Sequence, residues 1–397
     1  MRSRSASLVL LLAAALPACV IRSRSHIDVE FSFAAAEESS REETLDLDLG
    51  AGDRLVIQGA TGDVSVAVAP AGVAPHLAAR IRARGETPEQ ASELAGRTRI
   101  FAERSGHDLV VRIESEPFRT GGRNARITLP TTVAISAVVP SRIRLDVRTS
   151  SGDVTVAGPV ADSRVESAYG RVKLDDAEGE VIAASSSGEV RVSRVRGPRV
   201  EARSSYGDLG VEDVAAGAIV AETSSGEVTL RGTKGPAEAR SGYGKVDVKD
   251  HAGDLAASSS SGDVRVRGVR GENTPAARLS VESGYGKVTV EGVLASLTAL
   301  SSSGNVEVAA LPGSRVESDW TLRSGYGDVV LALPGDASFE LDARTSYGEI
   351  TSEFDLRVRA GKITGKTVEA TVGDGGNAVR LSSSSGDVAL RRAGGGG

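Results

Sequence analysis

Ser151-Gly152-Asp153-Val154, Tyr169-Gly170-Arg171-Val172 and Ser187-Gly188-Glu189-Val190 are three copies of one phrase. It runs Ser or Tyr, then Gly, a polar residue and an aliphatic. Further copies centre on Gly207, Gly226, Gly244, Gly262, Gly286, Gly304, Gly327, Gly348 and Gly386, and an early one on Gly62. Neighbouring glycines are mostly 18 or 19 residues apart. A fixed period of this size marks stacked repeats, each too narrow to bury its apolar face alone.

Counting from the motif Gly aligns the copies. Three places before it stands Ser or Thr, as in Thr149, Ser167, Ser185, Ser241 and Ser383. Five and seven places before are small or aliphatic, as in Val147 and Leu145. Two and four places after come pairs such as Val154 and Val156, or Val264 and Val266. Alternate residues of a strand face the same side, so each repeat holds two short half-buried strands joined at the Gly. The Gly itself is read as a tight bend requiring φ > 0. Charged residues such as Arg148, Glu166, Arg240 and Arg265 fall between the apolar columns and mark the exterior. The fold class expected is all-β, a parallel β-solenoid with coils of about 18–19 residues.

The 397-residue chain carries a net charge of −6 and 3% aromatic residues. No basic domain offers phosphate contacts, which argues against nucleic acid as a partner. So few aromatics suit a thin core of Val, Leu, Ala and Ser between close-packed sheets.

The first residues read as an address. Arg2 and Arg4 precede the apolar run Ala6 to Leu16, which is too short to span a bilayer comfortably. Leu16-Pro17-Ala18-Cys19 then resembles a bacterial lipobox, which implies cleavage after residue 18 and acylation of Cys19. Cys19 is the only cysteine, so no internal disulfide is possible. A membrane is therefore an expected partner through Cys19. Val20 follows the Cys, which favours the outer membrane. The domains expected are a signal peptide at 1–18, a tether at 19–41, a β-rich N-terminal cap at 42–140, the solenoid at 141–390 and a disordered tail at 391–397. Within the cap, Thr87-Pro88-Glu89-Gln90 reads as a helix start, with Ala91, Leu94 and Ala95 as its apolar stripe. Extra residues at Gly271–Pro275 and Leu311–Ser314 read as loops on one edge, and Phe354 to Gly376 as an excursion covering the far end.

Leu381-Ser382-Ser383-Ser384-Ser385-Gly386-Asp387-Val388 and the other Ser-Ser-Gly-Asp-Val copies resemble the bacterial putative-adhesin repeat family, β-strand-repeat domains of unknown function often carried on lipoproteins or exported chains. The resemblance covers residues 45–390. It implies a right-handed parallel β-solenoid and transfers no catalytic residue.

All six tyrosines share the position before the Gly: Tyr169, Tyr206, Tyr243, Tyr285, Tyr326 and Tyr347. Ser151, Ser187, Ser225, Ser261 and Ser303 hold it in other copies. Packing is the preferred reading, a large residue over a small one filling the corner of each coil. The alternative is a ligand-facing aromatic ladder. The residue after the Gly is of mixed sign, with Asp153, Glu189, Glu227 and Asp263 following Ser copies and Arg171, Lys245 and Lys287 following Tyr copies, though Asp208, Asp328 and Glu349 break the rule; the mixing limits repulsion between stacked coils. The calcium-roll spacing Gly-Gly-x-Gly-x-Asp is absent. His26, His76, His107 and His251 have no ligand spacing, and His251 and Trp320 fall in aliphatic columns that indicate core. No metal, cofactor or catalytic residue is expected. The function expected is a non-catalytic cell-envelope scaffold, adhesin-like, binding carbohydrate or a surface protein. An envelope-stress sensor and a carbohydrate-active β-helix enzyme are the alternatives.

Overall fold

The structure, a computed structural model, describes residues 37–70, 72–115, 119–120, 127–128, 131–270, 277–310 and 316–393. The signal peptide, Cys19, His26, both edge insertions at 271–276 and 311–315, and the last residues of the tail lie outside the described residues. The chain forms two units by contact.

Among the described residues the first unit takes 37–42, 80–99, 114–115, 119–120, 127–128 and 131–132. Its helix is Pro88–Arg97, as the sequence predicts. Thr87 is extended, and its Oγ1 accepts the Gln90 N–H at 3.2 Å. Gln90 Oε1 reaches back to accept the N–H of Glu86 at 2.6 Å, so one orphan donor of the first turn and the N–H just before the cap are both satisfied. Ala91, Leu94 and Ala95 are its buried residues.

The second unit takes residues 43–79, 100–113 and 133–397 and is the solenoid. Every repeat is one coil. Strand Arg144–Thr149 pairs in parallel with Ser163–Ser167, which pairs with Val181–Ser185, then Val200–Ser204, Ile219–Thr223, Ala237–Ser241 and Leu255–Ser259. These make the first sheet. A second parallel sheet stacks Val154–Val160, Val172–Glu178, Val190–Gly197, Leu209–Glu212, Val228–Arg231, Val246–Ala252 and Val264–Arg270. The register holds the repeat columns together: Val147 lies on Val165, Ala183, Ala202, Ala221, Ala239 and Ala257 in turn. Their side chains, and those of Val154, Val172, Val190 and Val228, are buried. Each fully buried Val contributes about 1.5–3 kcal/mol, and the core needs no aromatic filling in coils this thin.

The motif Gly is not the left-handed residue that the sequence suggests. Among Gly152, Gly170, Gly188, Gly207, Gly226, Gly244, Gly262, Gly286, Gly304, Gly327, Gly348 and Gly386, only Gly152 has positive φ. The requirement is space. A Cβ on any of them from Gly170 onward would come within 1.8–2.5 Å of the Gly carbonyl group in the adjoining coil. The left-handed position falls six residues later, at Gly158, Asp176, Arg194, Asp213, Gly232, Asp250, Gly268 and Gly292, within or just past the second-sheet strand, where the parallel ladder skips a residue. Gly is optional there, because Asp and Arg also occupy it.

Both ends of the stack are interlaced. Strands Arg54–Ala60 and Val64–Val68 lie between the coil of Asp108–Ser115 with Thr131–Val139 and the coil of Arg144–Thr149 with Val154–Val160. A boundary at residue 140 is therefore corrected. Much of the expected cap consists of coils, because its Leu55/Ile57 and Val64/Val66 alternation supplies the same inward columns. At the other end, Ala378–Ser383 and Val388–Arg392 insert between the coil of Trp320–Ser324 and Val329–Leu333 and that of Phe339–Thr345 and Ile350–Ser352. The excursion folds as Leu356–Thr364 and Thr367–Val372, antiparallel, and covers the free edge of Phe339–Thr345. Arg391 and Arg392 belong to the inserted strand and not to a tail, since they extend the pairing with Ala332 and Leu333.

Candidate binding corner

The corner between the two sheets is built from four adjoining columns. The Ser or Thr three places before the Gly is buried. From Ser167 to Ser383 its hydroxyl donates to the Gly carbonyl of the adjoining coil at 2.8–3.1 Å. The same oxygen accepts the N–H of its own Gly at 2.8–3.2 Å. One hydroxyl thus satisfies a donor and an acceptor that the tight corner would leave unpaired. On the outermost coil the Gly348 carbonyl has no such hydroxyl, and the Lys366 ammonium donates to it at 2.6 Å.

The residue after the Gly adds a second staple. The Asp153 carboxylate accepts the backbone N–H of Arg171 at 2.8 Å, as Asp208, Asp263 and Asp387 do for Glu227, Lys287 and Glu349. Asn305 does the same for Asp328 at 3.0 Å. The short acids of this column are therefore structural. Sequence reasoning treated them only as mixed charge, and the preference for Asp over Glu where the side chain must reach one backbone N–H was the available signal.

On this frame the tyrosines point outward. Their exposure runs from 71% at Tyr206 to 81% at Tyr347. The packing reading is therefore corrected: at the position before the Gly the side chain leaves the coil, and nothing in the corner needs filling. Among the described residues no phenol hydroxyl of the six has a hydrogen-bond partner. Interlacing also completes their order. In sequence Tyr326 and Tyr347 are consecutive, but the inserted coil places Ser385 between them. From Ser151 to Tyr347 the corner then alternates without a break: Ser, Tyr, Ser, Tyr.

Beside the tyrosines the first sheet opens a groove of about 1030 Å³. Tyr243 and Tyr285 line it, with Gly242, Ser260, Gly284, Ser302 and Gly325 from the column two places before the motif Gly and Glu222, Arg240, Ser258, Glu282, Leu300 and Arg323 from the column four places before it. This groove was not anticipated. Its signal was the uncharged Ser258 and Leu300 in a column that holds Glu222, Arg240, Glu282 and Arg323 in the neighbouring coils.

The other candidate residues are structural. His251 is fully buried, with Nδ1 2.9 Å from Thr233 Oγ1 and Nε2 3.2 Å from the Asp254 carbonyl. Trp320 is 1% exposed and lies between Leu297 and Val379 in the core column. His76 meets the Ala74 carbonyl, and His107 meets Asp53. The Arg104 guanidinium, with the Gly50 N–H and His107, holds the Asp53 carboxyl well below the usual carboxylate range. Burial opposes the charge on Asp247, but Lys245 and Arg267 together keep its pKa low. Among the described residues no group of three or more His, Cys, Asp or Glu could hold a metal ion, and no helix is long and apolar enough to cross a membrane.

The model of the Toastrack family (DUF4097) matches residues 99–269 and 251–391. The chain belongs to the Toastrack family. No curated protein matches it. Several solved structures resemble this Toastrack chain. One, named a putative cell adhesion protein, is from Clostridium sporogenes ATCC 15579; it is 10% identical, with a TM-score of 0.20 over 89% of this chain and 100% of that one. A putative adhesin from Bacteroides fragilis NCTC 9343 is 12% identical, with a TM-score of 0.30 over 68% and 97%. A putative lipid binding protein from Parabacteroides distasonis ATCC 8503 is 15% identical, with a TM-score of 0.28 over 87% and 96%.

Proposed function

We propose that this Toastrack chain is a non-catalytic binding scaffold of the cell envelope, adhesin-like, held to the outer membrane by acylated Cys19 and binding through its tyrosine corner. The observation that carries the reading is the row of six tyrosines, all more than two-thirds exposed, on a corner whose buried serine and threonine hydroxyls are already paired. Tyr supplies a large, stiff contact area with a polar tip at low entropic cost, which is why it is enriched in binding surfaces. Solitary exposed apolar groups need no explanation, but a ring repeated on one edge of a rigid stack does.

The test is a glycan and envelope-protein array probed with the wild-type chain and with a Tyr169→Ser, Tyr206→Ser, Tyr243→Ser, Tyr285→Ser, Tyr326→Ser, Tyr347→Ser variant. Exposed side chains away from special features change stability little, within about 0.5 kcal/mol each. The expected outcome is unchanged melting and lost binding. Retained binding by the variant overturns the tyrosine corner as the site. The anchor is tested separately by Cys19→Ala, which should release the protein from the membrane fraction.

A further inference from the structure

We infer that the ligand of the tyrosine corner is a linear, uncharged β-1,4-linked glycan lying along the stack, with one disaccharide for every two coils. The inference rests on the tyrosine corner being the binding site. It follows from the period of the corner, its polarity and its charge.

The period is two coils in two adjoining columns. Before the motif Gly the stack alternates Tyr243, Ser261, Tyr285, Ser303, Tyr326. One place further back, also lining the groove, it alternates Gly242, Ser260, Gly284, Ser302, Gly325. Parallel strands are about 4.8 Å apart, so the rings recur about every 9.6 Å. A disaccharide of an extended β-1,4-linked pyranose chain is closely that long. In such a chain each sugar is turned over relative to the last, so the same ring face recurs at every second sugar. A ligand built this way meets one Tyr per disaccharide on the same face. The inverted sugars between them fall beside Ser261 and Ser303, where a hydroxyl and no ring awaits them. An α-1,4-linked chain coils and cannot keep this register over several rungs.

Polarity points the same way. The axial C–H face of a pyranose packs on an aromatic ring, while its rim of hydroxyls needs donors and acceptors. The groove lining offers serine hydroxyls and glycine backbone, and the six phenol hydroxyls are free to pair. The charges lining the groove are balanced, with Glu222 and Glu282 against Arg240 and Arg323. That balance favours a neutral chain over a polyanion, whose capture requires an excess of cations.

Length dependence tests the inference. With one rung per two sugars, a trisaccharide reaches two tyrosines, a pentasaccharide three and a heptasaccharide four. Titration calorimetry of the full chain with chito-oligosaccharides and cello-oligosaccharides should therefore show a staircase. Affinity should rise about two- to ten-fold from di- to trisaccharide and again from tetra- to pentasaccharide, with little gain from tri- to tetrasaccharide. Tyr243→Ser leaves at most three tyrosines in phase, so it should keep the gain at the pentasaccharide and lose the gain at the heptasaccharide, whereas a Tyr206→Ser, Tyr243→Ser, Tyr285→Ser variant leaves only Tyr326 and Tyr347 consecutive and should keep the trisaccharide gain but lose the pentasaccharide one. A smooth rise with length overturns the inference, as does equal affinity for maltopentaose. If no β-1,4 oligosaccharide binds while the variant lacking all six tyrosines still loses its array ligand, the inference falls and the tyrosine corner stands. If that variant keeps its array ligand, both fall.

Discussion

At the motif glycine two physical demands that look alike in sequence separate in the structure. Gly244 would place a Cβ 2.0 Å from the Gly226 carbonyl oxygen, a backbone atom held on both sides by the stack. Gly232 has φ +59°, but a Cβ there would meet only the Asp213 carboxylate, which can move. Gly244→Ala should therefore lower the melting temperature sharply or prevent folding. Gly232→Asn should change it little, because Asp213 and Asp250 already adopt that conformation in the neighbouring coils and the neutral amide can pair with the Asp213 carboxylate. Thermal melts of the two variants check the assignment, and equal damage by both would mean that conformation, and not stacking space, selects the motif Gly. The aligned columns showed that a Gly was needed and which side chains turn inward. They could not distinguish a strained φ from a close contact between coils, since that contact joins residues 18 or more positions apart. The outward direction of Tyr169 and its five counterparts was hidden for a related reason. At a corner the alternation of faces stops, so strand periodicity no longer says which way a side chain points.

At the level of strands the repeats were legible and their order in space was not. Each coil's pattern is local, whereas the place where a terminal coil docks is decided by which neighbour offers a matching edge. The sequence reads the coil of Gly386 as last, yet Gly386 lies between Gly327 and Gly348. Its strands pair with Trp320–Ser324 on one side and Phe339–Thr345 on the other. Ending the chain after Gly376 therefore removes a rung from inside the stack. The fully buried Phe339 loses part of its setting, and the inserted strand's backbone partners on both sides are left unpaired. Limited proteolysis of this truncated chain should cut within residues 334–376 and leave the coils before Leu333 resistant. Continued protection of 334–376 would show that the outer coil can stack without the inserted one, and that the interlacing adds nothing to its stability. The staple from Lys366 to the Gly348 carbonyl belongs to the same device, standing in for the serine of a coil that does not follow.

For the solenoid as a whole, stability is approximately a sum over coils and their interfaces, so its length is adjustable while its phase is not. Columns repeat at every coil in the core but at every second coil on the tyrosine corner. Deleting residues 237–254 removes the single coil of Tyr243 and sets Leu255 where Ala237 stood, a position the two already share in register. Deleting residues 237–278 removes the coils of Tyr243 and Ser261 together and sets Leu279 there, again in register. Either shortened chain keeps a continuous core, so both should fold and melt near the parent. Their corners differ. The two-coil deletion leaves Tyr169, Tyr206, Tyr285, Tyr326 and Tyr347 evenly spaced. The one-coil deletion leaves two serines, Ser225 and Ser261, in succession and splits the row into a pair and a trio out of step. A heptasaccharide needs four rungs in phase. Chitoheptaose should therefore bind the two-coil deletion more tightly than chitopentaose does, and bind the one-coil deletion no better than chitopentaose. Equal behaviour of the two deletions, at equal melting, would show that the tyrosines act as separate contacts and that the two-coil period is not what the ligand reads.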